Sequence, residues 1–129
     1  MHRDISLGNV FVAADFTLKL GDLGISHVLG GNSGESAAHL APELWRQQGF
    51  APPTDCWALG CLFHQLLTTK PPFSGRTVHE LRGRVLLGRY PRLPASCSAD
   101  AAAVVARLLT PDPARRWTCL LYTSPSPRD

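Results

Sequence analysis

The longest patterned stretch of the chain runs from Thr54 to Thr69, where Trp57, Leu59, Leu62, Phe63, Leu66 and Leu67 recur with small residues on the other faces. An apolar surface nearly all the way round predicts a helix set inside a core. Thr54 is a fair N-cap, Asp55 suits the positive end of the helix dipole, and Lys70-Pro71-Pro72-Phe73 supplies the stop. Further on, Val78 to Leu87 carries an amphipathic helical pattern closed by Gly88-Arg89-Tyr90-Pro91. Ser98-Ala99-Asp100 caps another helix, which runs through Val104, Val105, Leu108 and Leu109 towards Pro111. Nearer the start the period changes: Val10-Phe11-Val12-Ala13 and Thr17-Leu18-Lys19-Leu20 flank the turn Ala14-Asp15-Phe16 and read as a small β-hairpin. Between hairpin and long helix the chain is rich in Gly, Ser, Ala and Asn, and Gly30-Gly31-Asn32-Ser33-Gly34 is too flexible for a regular element.

The 129 residues suffice for one domain with a core. Thirteen Lys and Arg against ten Asp and Glu give a net charge of +3. The basic residues are scattered except for Arg82, Arg84, Arg89 and Arg92, which argues for a solvated face and against a nucleic-acid partner. No apolar run reaches membrane-spanning length and no secretory leader is visible, so a soluble, cytoplasmic protein without a membrane partner is expected. Cys56, Cys61, Cys97 and Cys119 lack paired metal spacing and are expected as buried or free thiols in a reducing compartment.

The chemistry concentrates at the start. His2-Arg3-Asp4-Ile5-Ser6-Leu7-Gly8-Asn9 sets a carboxylate and a carboxamide five residues apart, and Gly21-Asp22-Leu23-Gly24 places a second carboxylate eighteen residues after Asp4. One carboxylate for an acceptor hydroxyl, with an amide oxygen and a second carboxylate for metal, is the set that phosphoryl transfer from a magnesium nucleotide needs. The transferred group passes through a loose transition state, so catalysis rests on positioning and charge neutralisation. Magnesium keeps waters and phosphates and takes only one or two protein oxygens, for which Asn9 and Asp22 suffice. Gly21 and Gly24 are expected to give the backbone around Asp22 unusual freedom.

Either stretch alone is a common accident. Here they are followed, in order, by Ala41-Pro42-Glu43, by Asp55-Cys56-Trp57-Ala58-Leu59-Gly60, and by Asp112-Pro113-Ala114-Arg115-Arg116. With these five stretches the chain resembles the catalytic half of a eukaryotic protein kinase of the serine/threonine type. Asn9-Val10-Phe11, Leu18-Lys19-Leu20-Gly21-Asp22, Trp57-Ala58-Leu59-Gly60-Cys61 and Gly88-Arg89-Tyr90-Pro91 are most similar to the NIMA-related branch.

The resemblance implies an α+β family fold, of which this chain is the mainly α-helical C-lobe with a small β-hairpin, lacking the N-lobe. It implies ATP and Mg2+ as cofactors, protein Ser/Thr hydroxyls as acceptors and the N-lobe of the same parent chain as partner. Asp4 becomes the catalytic base, and Asn9 and Asp22 the metal ligands. Phe11 falls beneath the adenine ring, although on residues alone it is equally a plain core aromatic. Arg3 takes the place that pairs with a phosphate on the activation segment, where Ser33 is either the acceptor or a linker serine. Ser36 keeps a hydroxyl where the family has a Thr bonded to the catalytic Asp. Asp55 is expected to tie the long helix to the catalytic-loop backbone, Arg116 to form a buried pair with Glu43, and Trp57 to serve packing.

Some positions depart from the family. Ser6 stands where serine/threonine kinases carry a Lys that contacts the transferring phosphate, removing a positive charge from the catalytic group. Glu35-Ser36-Ala37-Ala38-His39-Leu40 differs from the usual segment before Ala-Pro-Glu, and Leu23 replaces Phe. No glycine-rich loop or strand Lys precedes the catalytic stretch, so the sequence reads as a fragment, with residues 1–118 a partial kinase domain. Residues 119–129, which resemble a translated cloning adapter, form an unstructured tail. Such a fragment is expected to be inactive alone and to leave apolar residues such as Leu62 or Leu66 open to water. The parent reads as a serine/threonine kinase. The alternatives are a pseudokinase or kinase-like scaffold, and an inactive truncated product.

Overall fold

The computed structural model describes residues 5, 7–21 and 38–118. Among them a 3-10 turn at Leu7–Asn9 leads into strands β1 (Val10–Val12) and β2 (Leu18–Leu20). Four helices follow: α1 (Pro42–Trp45), α2 (Pro52–Thr68), α3 (Val78–Leu87) and α4 (Ala99–Leu108). Among the described residues the architecture is mainly helical with one two-stranded antiparallel sheet, as the resemblance implies.

The helix ends follow local chemistry, with one correction. Thr54 is not the N-cap of α2: the helix starts two residues earlier, and Ala51 occupies the cap. Pro52 and Pro53 fit the first turn because N–H groups there have no helical acceptor to lose. Thr54 instead sits a turn into the helix, where its Oγ1 accepts a 3.2 Å hydrogen bond from the Ala51 N–H. That is half of a reciprocal cap. The far end stops at Thr69, which takes a left-handed conformation (φ 65°) just ahead of the prolines. Helix α3 spans the expected residues, with Thr77 Oγ1 accepting from the Glu80 N–H and Gly88 as a left-handed cap (φ 65°). Ser98 caps α4 by accepting from the Ala101 N–H at 3.1 Å.

Trp57 and Cys61 of α2, Phe73, Leu81 and Val85 of α3, Val105 of α4, Leu109 and Ala41 form the buried cluster. Trp57 stacks on Phe73 at 5.3 Å between ring centroids. Burial pushes the Cys61 thiol far up, while the positive charge of Arg116 pulls only partly the other way, so Cys61 is an inert core residue.

The long helix is apolar all round in sequence but buried on one side. Leu62 is 5% exposed, which corrects the expectation that it faces water, whereas Leu66 is 49% exposed and lies open together with Phe63 and Leu67. Positions 62 and 66 are one helical step apart on nearly the same face, and hydropathy alone does not separate them. His64, a polar residue in the apolar run, is buried as well, which hydropathy does not foretell. Its Nε2–H donates to the Pro91 carbonyl at 2.8 Å, and Tyr90 meets its ring edge-on at 5.5 Å.

Helices α2 and α4 approach closely at Gly60. A Cβ there would lie 2.8 Å from Leu108 Cβ and 2.9 Å from a Leu109 methyl, whereas a Cβ on Gly83 of α3 meets nothing within 4 Å. Two glycine replacements are therefore expected to act with opposite sign. Gly60→Val should destabilise by about 1–3 kcal/mol through overpacking, and Gly83→Ala should stabilise by about 0.5–1 kcal/mol by removing backbone entropy from the unfolded chain. Urea unfolding midpoints check both, and a Gly60→Val midpoint equal to that of the parent chain would refute the close packing.

Candidate active site

The described part of the predicted catalytic stretch is its last turn and the hairpin that follows. Val10 pairs with Leu20, Phe11 with Lys19 and Val12 with Leu18. The ladder extends one step further, with the Gly21 N–H donating to the Asn9 carbonyl at 2.8 Å. Asn9 and Gly21 thus sit side by side at one end of the hairpin, one residue short of Asp22. At the other end Ala13 and Thr17 close the turn through a 2.9 Å bond between the Ala13 N–H and the Thr17 carbonyl. Asp15 Oδ1 accepts from the Thr17 N–H at 3.0 Å, and hydrogen bonding by Thr17 lowers the pKa of this exposed carboxylate.

Phe11 and Lys19 face each other across the ladder and share one side of the hairpin, while Val12 and Leu18 share the other. The Phe11 ring lies against Gly21, where a Cβ would come within 2.7 Å of the ring. This revises the reason for glycine at 21. Gly21 does not carry a positive φ, so its need is steric and not conformational. Phe11 itself is 56% exposed. Asp4, Ser6, Asp22, Arg3, Ser33, Ser36 and Gly24 lie outside the described residues.

The second constellation is fully described. Glu43, in the first turn of α1, and Arg116 are both buried and meet in a two-pronged pair: Arg116 Nη1 donates to Glu43 Oε1 at 2.8 Å and Nη2 to Oε2 at 2.9 Å. The remaining guanidinium hydrogens go to the carbonyls of Pro53 (2.7 Å), Pro111 (3.1 Å) and Thr110 (2.8 Å). Every donor of the guanidinium fork therefore has an acceptor. Thr54 Oγ1–H donates to Glu43 Oε1 at 3.0 Å, and the guanidinium also lies 5.0 Å from the centre of the Trp57 ring. Trp57 accordingly does more than fill space.

Local sequence explains how Arg116 arrives there. Asp112 opens a tight turn in which its carbonyl accepts from the Arg115 and Arg116 N–H groups and its side chain from the Ala114 N–H. Ala41 and Pro42 bring the other partner, since the extended Ala41 and Pro42 at the first helical position start α1 at once and carry Glu43 into the interior. Burial, the largest influence on Glu43, raises its pKa. The hydrogen bonds and charge of Arg116, with the Glu43 backbone and Thr54, outweigh it, and the carboxyl ends below its usual 4.5. Asp55, in the first turn of α2, is half-buried.

The order of these parts matches one known architecture. A model of the protein kinase domain matches residues 1–124. The chain belongs to this family. It is similar to serine/threonine-protein kinase plk-1 of Caenorhabditis elegans, with 32% identity over 92% of this chain and 19% of that protein. It is similar to mouse serine/threonine-protein kinase Nek4, a NIMA-related kinase, with 32% identity over 90% of this chain and 15% of that protein. Likeness to mouse inactive serine/threonine-protein kinase PLK5 reaches 35% identity over 90% of this chain and 20% of that protein. The chain thus spans a fifth or less of these relatives' lengths.

The buried pair generates a prediction about the kinase-domain fold. Arg116→Met leaves Glu43 buried without its counter-charge and should cost about 3–5 kcal/mol, the usual loss when one partner of a buried pair is removed, whereas Arg116→Lys keeps the charge but cannot fill the fork and should cost less. The double replacement Glu43→Leu with Arg116→Met should cost less than the sum of its singles, because no unpaired charge remains. The depressed Glu43 carboxyl makes its stabilising contribution complete above its unfolded pKa near 4.5, to be lost as pH falls through the lower folded value. Urea unfolding across pH 3–7 should therefore fall off on the acid side, and Glu43→Gln should flatten that limb. An identical acid limb in Glu43→Gln would refute the assignment.

Proposed function

We propose that the protein containing this chain is a serine/threonine protein kinase, transferring the γ-phosphate of ATP to Ser and Thr hydroxyls of cytoplasmic protein substrates. The observation that carries the reading is the hairpin end, where Asn9 is bonded to Gly21 beside Asp22 and the exposed Phe11 ring lies against Gly21. An amide oxygen from Asn9 and a carboxylate from Asp22 are hard donors of the kind magnesium takes, so the residues present fit the ion. Bound there with the nucleotide, magnesium would neutralise phosphate charge. Asp4 orients the acceptor hydroxyl and takes up its proton. The flat apolar Phe11 ring offers a base-sized surface, and Lys19 across the ladder adds a cation on the same side of the hairpin. Arg3 and Ser33 would govern the activation segment, with Ser36 bonding the catalytic carboxylate.

A second reading, a pseudokinase acting as a binding module, draws support from Ser6 in place of the phosphate-contacting Lys and from the likeness to a relative named inactive. The two are separated by turnover. In the full-length protein with Mg-ATP and a generic Ser/Thr substrate, phosphate transfer is expected, and Asp4→Asn or Asp22→Ala should abolish it. Ser6→Lys should raise the rate by restoring a cation beside the transferring phosphate. Equal turnover in the parent and Asp4→Asn would sink the kinase reading, and no turnover in either the parent or Ser6→Lys would favour the pseudokinase.

A further inference from the structure

Residues 70–92 contain Lys70, Arg76, Arg82, Arg84, Arg89 and Arg92 but only one acid, Glu80, whereas the whole chain has 13 Lys and Arg against 10 Asp and Glu. The fold gathers part of this excess around an open groove of about 690 Å³ between the loop after α2 and the C-terminal half of α3. Its wall is apolar, with Pro71, Leu87, Tyr90 and Pro91, and Lys70, Arg84 and Arg89 line it as well. The single acid is already engaged: Glu80 Oε1 is 2.7 Å from Arg84 Nη2, and Oε2 accepts from the Arg76 N–H. Arg84 Nη1 also donates to the Ser74 carbonyl at 2.6 Å, which ties the loop to the helix. Lys70 and Arg89 are exposed and make no ion pair among the described residues.

The wall is firm. Tyr90 meets Phe73 edge-on at 6.1 Å as well as His64, and His64 holds the Pro91 carbonyl. Leu87, by contrast, is 66% exposed at the end of α3 and has little cover within the chain. A fixed apolar wall beside uncompensated cations is complementary to one kind of occupant. We infer that this groove docks an extended acidic peptide segment of a partner protein, with glutamate or aspartate side chains at Lys70 and Arg89 and a leucine or proline against Leu87 and Tyr90. The apolar contacts supply affinity, and the charges steer approach and set direction. A single-stranded nucleic acid fits less well, because its bases need a series of aromatic faces and this wall has one aromatic among prolines and a leucine.

The inference does not depend on catalysis, since binding is read without nucleotide. A fluorescent peptide carrying a central Leu-Pro between glutamates is titrated with the full chain by fluorescence polarisation at low salt. Saturable binding is expected, weakened at least about tenfold by Lys70→Glu with Arg89→Glu, since like charges would then face each other. Leu87→Ser should weaken it several-fold while leaving its salt dependence intact. All three positions are exposed, and circular dichroism checks that each variant remains folded. Should the double charge variant unfold, Leu87→Ser and a peptide with lysines in place of the glutamates carry the decision. Absence of binding, equal affinity for the lysine peptide, unchanged affinity in folded variants, or tighter binding of a single-stranded oligonucleotide would overturn the inference.

Discussion

Burying a charge is among the most costly things a fold can do, and this one buries two against each other, Glu43 and Arg116, from parts of the chain 73 residues apart. The pair is tolerable because the surroundings leave no donor of the fork idle. Three carbonyls take what Glu43 does not, and Thr54 and Trp57 close the remaining sides. Those carbonyls belong to the start of α2 and to the loop after α4. One guanidinium therefore fixes the first turn of α1, the entry of α2 and the Asp112 turn with respect to one another. Much of the helical part hangs on that junction, including the placement of Trp57 and the ring stack it makes with Phe73.

The hairpin is organised by a different constraint. It is short, mostly exposed, and gains definition from one steric contact, the Phe11 ring on the bare backbone of Gly21. At its end the last rung of the ladder pins Asn9 beside Gly21, the residue that precedes Asp22 in the chain. A backbone rung fixes the spacing of Asn9 and Gly21 without using the Asn9 side chain.

Much of the helical pattern was legible in the sequence because it is written in local terms: the bounds of α3, the Ser98 cap, and the hairpin with its turn all follow from caps, period and turn residues. The Glu43 and Arg116 pair was legible only through the family resemblance, since nothing local links positions so far apart. What stayed hidden was what depends on three-dimensional neighbours. Thr54 looked like a cap because hydroxyls favour helix starts, yet two prolines before it already occupied the first turn. Leu62 and Leu66 have the same hydropathy and opposite fates, His64 gave no sign of the Pro91 carbonyl waiting for it, and glycine at 21 answers to a ring and not to a torsion angle. Of the candidate site, Asn9 and Phe11 lie among the described residues, while Asp4, Ser6 and Asp22 fall outside them.

The separation of Glu43 and Arg116 along the chain also bears on how the molecule is made. Synthesis proceeds at about 5–20 residues per second, so Glu43 leaves the ribosome several seconds before Arg116, the buried counter-charge it meets in the fold. Throughout that interval a compact intermediate would have to hold a lone carboxylate in its interior or protonate it, and both are unfavourable at neutral pH. Until the Asp112 turn has emerged, the first turn of α1 and the start of α2 lack the cation that joins them in the fold.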